Sequence, residues 1–217
     1  MILTRRAFTA ALSLTGLAAV AELSPFRFMT DAFADLASDV AKPQSLPDMA
    51  LGPADAAVTI VEYASLTCSH CAAFNKNVFP QIKAAYIDTG KIRYVLREFP
   101  LDGLALAGSK LSRCIANGDA AKYFALSDLL FSQDWFNNKE QKETLYRIAG
   151  QAGFSKQQAD KCIGDEALQD KMLAGRKYAS DVLKVNSTPT FFLNGEMIKG
   201  ETSFEEFDKR IKALLKS

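Results

Sequence analysis

Histidine is almost missing from this sequence: His70 is the sole example in 217 residues. A zinc site would therefore need the four cysteines, and Cys114 and Cys162 stand far from the Cys68/Cys71 pair and from any histidine. Charge of one sign is also lacking. Lys and Arg number 26 against 25 for Asp and Glu, so the composition does not point to a nucleic-acid or anionic-membrane partner. There is no internal repeat and no low-complexity tract. The apolar run from Ala7 to about Val20 is too brief for a comfortable membrane span.

What is present is concentrated in Leu66-Thr67-Cys68-Ser69-His70-Cys71. The run Val58-Thr59-Ile60-Val61-Glu62-Tyr63 leads into it with the alternation of a buried strand, and Ala72-Ala73-Phe74 continues it with helix-compatible residues. Cys68 is thus expected at a helix N-terminus. Unpaired backbone N–H groups and the positive dipole end there favour an anion, and push a thiol toward the thiolate that attacks disulfides. Cys71 lies one turn further along the same face, within reach of a disulfide to Cys68. His70, between them, can donate a hydrogen bond to the Cys68 thiolate or add positive charge. Half of a zinc site and a pair of structural cysteines are the competing readings of the same CxxC.

The chain opens Met1-Ile2-Leu3-Thr4-Arg5-Arg6-Ala7-Phe8. A short basic region, a brief apolar run and small-residue sites at Ala19-Val20-Ala21 and Ala32-Phe33-Ala34 read as an export signal over residues 1–34. Arg5-Arg6 resembles a twin-arginine signal, with an ordinary secretory signal as the alternative. Either route leaves a bacterial cytoplasm for the periplasm, and an uncleaved signal would act as a membrane anchor. Removing Arg5, Arg6, Arg27, Glu22 and Asp31 brings the charge of the remainder to zero. About 180 residues remain, enough for one well-buried domain. Four cysteines, an even number, suit an oxidising compartment.

Residues 35–56, with Pro43, Pro47, Gly52 and Pro53, read as a linker and loop. Helical pattern follows the CxxC to Thr89-Gly90, with Pro80 expected to kink or split it. Ile92 to Glu98 gives a second strand, so residues 57–101 form a βαβ unit with parallel strands and a right-handed crossover. Over residues 102–184 strand signals stop, and helices are punctuated by Asn117-Gly118, Asn137-Asn138, Gly153 and Gly164. Leu126, Leu129, Leu130, Leu145, Ile148 and Ala149 sit there at helical spacing, as core positions. Trp135 and Phe136, with Phe131, are expected to pack a helix end. Cys114 and Cys162 fall inside this helical block, and the expected pairing is a structural disulfide between them. Two inert buried thiols are the alternative.

Strand signals return at Thr190-Phe191-Phe192-Leu193, with Asn194-Gly195 as a hairpin turn into Glu196-Met197-Ile198-Lys199. Ser203 and Glu206 read as a capping box for a final helix to about Leu215. If the strand after Thr188-Pro189 runs antiparallel to the first, its start lies beside Cys68. A cis proline there would set the Thr188 backbone against Cys68, free to pair with an extended peptide. A plain strand-start proline fits the sequence equally.

The order strand, CxxC helix, strand, helical insertion, Thr-Pro, hairpin, helix resembles the DsbA family of bacterial disulfide oxidoreductases, over roughly residues 48–217. The matching motifs are Cys68-Ser69-His70-Cys71, Glu62 six residues ahead, and Val185-Asn186-Ser187-Thr188-Pro189-Thr190. The resemblance implies an α/β, thioredoxin-like fold interrupted by an α-helical insertion domain, with 57–101 and 185–217 as the thioredoxin part. It implies Cys68 as exposed nucleophile, Cys71 as shielded resolving thiol, Pro189 as the substrate-docking cis-proline after Thr188, and Glu62 as a buried acid that relays a proton to or from Cys71. Ser69 stands where these enzymes commonly have proline, and Thr188 where the best-known type has valine. The implied activity is donation of the Cys68–Cys71 disulfide to reduced, newly exported polypeptides by a monomer without bound cofactor. Reoxidation would fall to a quinone-linked membrane protein of the DsbB type. A disulfide isomerase or reductase, and a thioredoxin-fold peptide-binding protein, are the other readings. Only about a dozen residues separate the expected signal from the fold, which leaves no room for an isomerase's N-terminal dimerisation domain.

Overall fold

Two parallel strands carry the architecture. In the computed structural model, which describes residues 36–132, 140–200 and 202–216, β2 (Val58–Ala64) lies beside β3 (Ile92–Glu98) in parallel, Val58 opposite Ile92 and Ala64 opposite Glu98. The expected export signal, Trp135, Phe136 and Asn137-Asn138 fall outside the described residues. β4 (Thr190–Leu193) runs antiparallel to β2 with Thr190 opposite Tyr63, so its start lies beside the end of β2. β5 (Glu196–Lys199) completes a hairpin whose turn residues, Asn194 and Gly195, both have positive φ, as the tight turn requires. A Cβ on Gly195 would fall 2.5 Å from that of Ala37, so the helical stretch over residues 36–41 packs directly on this turn.

The sheet order is β1-β3-β2-β4-β5. β1 (Met49–Leu51) corrects the reading of 35–56 as linker and loop, since it pairs antiparallel with β3. Its three residues are too few to show an alternation, and Arg97 holds it from across the sheet. The Arg97 guanidinium donates to both Asp48 carboxylate oxygens at 2.8 and 2.9 Å, to Val40 O and to the Tyr63 hydroxyl. Arg113 does the same from the helical side, binding both Glu98 oxygens and Pro47 O, while the Tyr123 hydroxyl donates to Glu98.

The crossover between β2 and β3 is split as Pro80 requires. Helix α1 (Ser69–Asn77) ends at Val78, and α2 (Phe79–Ile82) restarts with Pro80 in its first turn, where a missing N–H costs no helix hydrogen bond. One π-helical turn, Lys83–Ile87, completes the crossover. Among the described residues five helices then follow before β4: α3 (Gly103–Ala116), α4 (Ala120–Phe131), α5 (Gln141–Gln151), α6 (Lys156–Ile163) and α7 (Glu166–Asp181). Helix α8 (Phe204–Leu214) closes the chain. Ser203 accepts from Glu206 N, but the Glu206 carboxylate turns to Arg210, so the reciprocal half of the expected capping box is missing. A complete box stands instead at Ser155–Gln158, ahead of α6.

Both faces of the sheet are covered. On one, Ile60, Ala64, Tyr94, Leu96, Phe191 and Leu193 join Phe74, Phe207 and the apolar positions of α3 to α6, including Leu126, Leu130, Leu145, Ile148 and Ala149. On the other, Val61, Tyr63, Val95, Phe99 and Phe192 meet Val40, Leu183, Val185 and Ala179 of α7. The helical block thus wraps the sheet. Cys114 of α3 and Cys162 of α6 are joined by a disulfide.

Candidate active site

The two cysteines receive different environments from one turn of helix. Cys68 has extended backbone geometry (φ −86°, ψ 118°) and is the N-cap of α1, its Sγ accepting from Cys71 N at 3.4 Å. Its thiol also donates to Thr188 O at 3.3 Å, across from the end of β2. The Thr188–Pro189 peptide bond is cis. The Thr188 hydroxyl is buried and makes no hydrogen bond while Cys68 is a thiol, so it is left to face the thiolate. The Cys68 pKa is lowered from 9.0 to about 5. The Cys71 side chain contributes most, burial opposes, and the Thr188 hydroxyl with the backbone N–H groups of Cys71 and His70 adds to the lowering.

Cys71 is 0 % exposed. Burial, and then the negative charge that Cys68 and Glu62 bring, push its thiol well above the ordinary range. Glu62 faces the same side of the sheet, 4 % exposed, and accepts from the Tyr94 hydroxyl at 2.6 Å. Burial chiefly, with the Cys68 charge, raises the Glu62 carboxyl from 4.5 to about 7, against the Tyr94 hydrogen bond that lowers it. His70 is exposed, and its backbone N–H is among the groups that lower the Cys68 pKa.

Four residues of this neighbourhood were given no role by the sequence reading. The Thr67 hydroxyl donates to Asp102 Oδ2 at 2.6 Å, while Asp102 Oδ1 accepts from Ala105 N as the N-cap of α3. Ser65 Oγ lies 3.2 Å from Thr67 Oγ1 and accepts from Leu101 N. The loop before Cys68 is therefore tied to the first residues of the helical block. Asp102 carries a readable signal, an acidic residue just ahead of a helical pattern. Ser65, Thr67 and Tyr94 become visible only once β2 and β3 are in register. Among the described residues no three His, Cys, Asp or Glu side chains come together as a metal site.

Cys68 is itself only 9 % exposed, which corrects the expectation of an exposed nucleophile. A nearly buried, acidic thiol over a fully shielded, weakly acidic one, with a buried carboxyl beneath and a cis proline alongside, defines a dithiol exchange site on a thioredoxin fold. Comparison with known proteins agrees. The family model described as Thioredoxin matches residues 44–213. The crystal structure of alpha-DsbA1 from Wolbachia pipientis is 33 % identical, with a TM-score of 0.75 over 83 % of this chain and 96 % of that one. Disulfide bond formation protein D of Bacillus subtilis is 28 % identical over 175 residues, 76 % of each chain. A Rickettsia bellii protein provisionally named a protein-disulfide oxidoreductase is 35 % identical over 150 residues, 68 % of this chain. The chain spans 57 % of that relative's length. This chain belongs to the thioredoxin family and, within it, to the DsbA proteins.

Proposed function

We propose that this protein is a thiol-disulfide oxidoreductase that works as an oxidase, donating its Cys68–Cys71 disulfide to reduced, newly exported proteins. The observation that carries the reading is the Cys68 pKa of about 5. A thiolate stabilised in the reduced protein makes the disulfide form a strong oxidant, because reduction releases that stabilisation. A substrate thiolate attacks Cys68 Sγ, Cys71 leaves and takes a proton from the Glu62 acid, and a mixed disulfide forms. A second substrate thiolate then attacks the substrate sulfur of that bond, and Cys68 leaves as a stable thiolate. Thr188 and Pro189 line the approach to Cys68, and the substrate is expected to dock there as an extended segment.

The electrons delivered to the protein must leave again. A quinone-linked membrane oxidase of the DsbB type is the partner we assign to that step, and the site needs no bound cofactor for the exchange. The working form is assigned as a monomer in the periplasm. Among the described residues no helix is long and apolar enough to cross a membrane.

Transfer to a reduced, unfolded protein with native disulfides tests the reading. Oxidised protein should pass one disulfide per molecule and end as the dithiol, and Cys68→Ser should abolish transfer. Efficient rescue of a scrambled disulfide protein by the reduced form, with little net oxidation, would favour the isomerase reading, which Thr188 ahead of Pro189 keeps in view.

A further inference from the structure

Tyr94 sits on β3, one step diagonally from Glu62 on β2, and both side chains face the cysteines from below. The phenol donates to Glu62 Oε2 at 2.6 Å, and Tyr94 is 1 % exposed. Among the described residues no Lys or Arg lies within ion-pair distance of Glu62, so its donor is neutral. The titratable groups acting on the pair are Cys68 and Cys71 of α1. The other walls are apolar. Phe191 of β4 lies opposite Glu62, and the Tyr94 ring rests 4.9 Å from Phe79 of α2 and 6.1 Å from Phe124 of α4. Held between those rings, the hydroxyl is directed at the carboxylate.

We propose that Tyr94 is a positioning residue of the exchange reaction: its phenol fixes the Glu62 carboxyl beneath the cysteines and stabilises the ionised form that accepts the Cys71 proton. The inference rests on the role given to Glu62 above. In a mixed disulfide, the proton of the Cys71 thiol passes to the Glu62 carboxylate. The Cys71 sulfur then attacks Cys68 Sγ, the Cys68–Cys71 bond forms, and the bound sulfur leaves with the electron pair as a thiolate. In the opposite direction Glu62, now an acid, returns the proton to Cys71 as Cys71 leaves. Burial alone would hold the carboxyl protonated and stop it acting as a base. A cationic partner would hold it ionised and stop it acting as an acid. A single neutral donor leaves it able to do both, and through Phe124 the helical block fixes where that donor points.

The test is the release of glutathione from the Cys68–glutathione mixed disulfide of the full chain, followed by mass against pH. For the natural sequence the release rate should rise with pH about the Glu62 midpoint, which lies below its dithiol value of about 7 because Cys68 carries no charge in the mixed disulfide. Tyr94→Phe keeps the ring packing and removes the donor, and should move that midpoint up by ~1 pH unit, which slows release about tenfold at a pH below both midpoints. Infrared titration of the Glu62 carboxyl should show the same shift. Glu62→Gln should erase the pH step, and adding Tyr94→Phe to it should change nothing further. If Glu62→Gln erases the step but Tyr94→Phe leaves both midpoints in place, Tyr94 only packs and the inference is overturned. A step that survives Glu62→Gln would instead remove the base role of Glu62, and with it that of Tyr94.

Discussion

Two residues separate a thiol whose pKa lies near 5 from one pushed far above the usual range. The difference is positional. Cys68 meets donors, the Cys71 thiol first and then the free N–H groups of a helix start, whereas Cys71 meets apolar walls and a carboxylate. At pH 7 iodoacetamide should therefore modify Cys68 and spare Cys71, and the labelling rate should titrate about pH 5, as counted by mass. Because the folded pKa of Cys68 is depressed below its unfolded value, its thiolate stabilises the reduced protein fully above that value. Stability should fall as pH drops from 9 toward 5, by at most ~1.4 kcal/mol per unit. Glu62 has the opposite sign. Its folded pKa is raised, so it stabilises the fold below pH 4.5, and that contribution is lost as pH rises toward 7. Glu62→Gln should thus gain up to ~3 kcal/mol over the natural sequence between pH 4 and pH 8 in urea unfolding, and a constant difference would contradict the raised carboxyl. Cys68 could be singled out from sequence because an N-cap thiol is a local pattern, whereas Glu62 entered through the resemblance to the DsbA family. Tyr94 could not, since a tyrosine in a β-strand is ordinary until its register neighbour is known.

At the scale of elements, the loop carrying Cys68 is fastened at both ends. Helix α1 holds one side, and the chain Ser65, Thr67, Asp102 holds the other by capping α3. Asp102→Ala removes a cap and frees Thr67, and should cost about 1–2 kcal/mol in thermal or denaturant unfolding. Asp102→Asn, which still caps and still accepts, should recover most of it. Regular elements with their own punctuation were readable: the βαβ unit, the split at Pro80, the Asn194-Gly195 hairpin. The short β1 was not, because its place depends on Arg97 gripping Asp48 from 49 residues away. The capping box at Ser203 fails for a related reason. Arg210, one turn further on, competes for the Glu206 carboxylate and takes it.

For the whole molecule, the helical block does more than decorate a thioredoxin sheet. Helices α3 to α6 complete the core below the cysteines, and α7 covers the opposite face. Its bridge from Cys114 to Cys162 spans a sequence separation of 48, and the chain-entropy model gives ~4 kcal/mol for a loop of that size. Cys114→Ala with Cys162→Ala should lower unfolding stability by about that amount and leave the Cys68 labelling midpoint near 5. A shifted midpoint would mean that the bridge also tunes the site. The pattern of helices announced the block, but nothing in that pattern indicated that its last helix would cross to the far side of the sheet.

The oxidase reading depends on which redox state the site favours. The most direct measurement is the equilibrium of the Cys68–Cys71 pair in glutathione buffers, with thiols trapped and counted by mass. The account predicts a potential less negative than about −200 mV, that of a disulfide donor. A value near −270 mV, typical of thioredoxins at about that figure, would contradict it and point to a reductase.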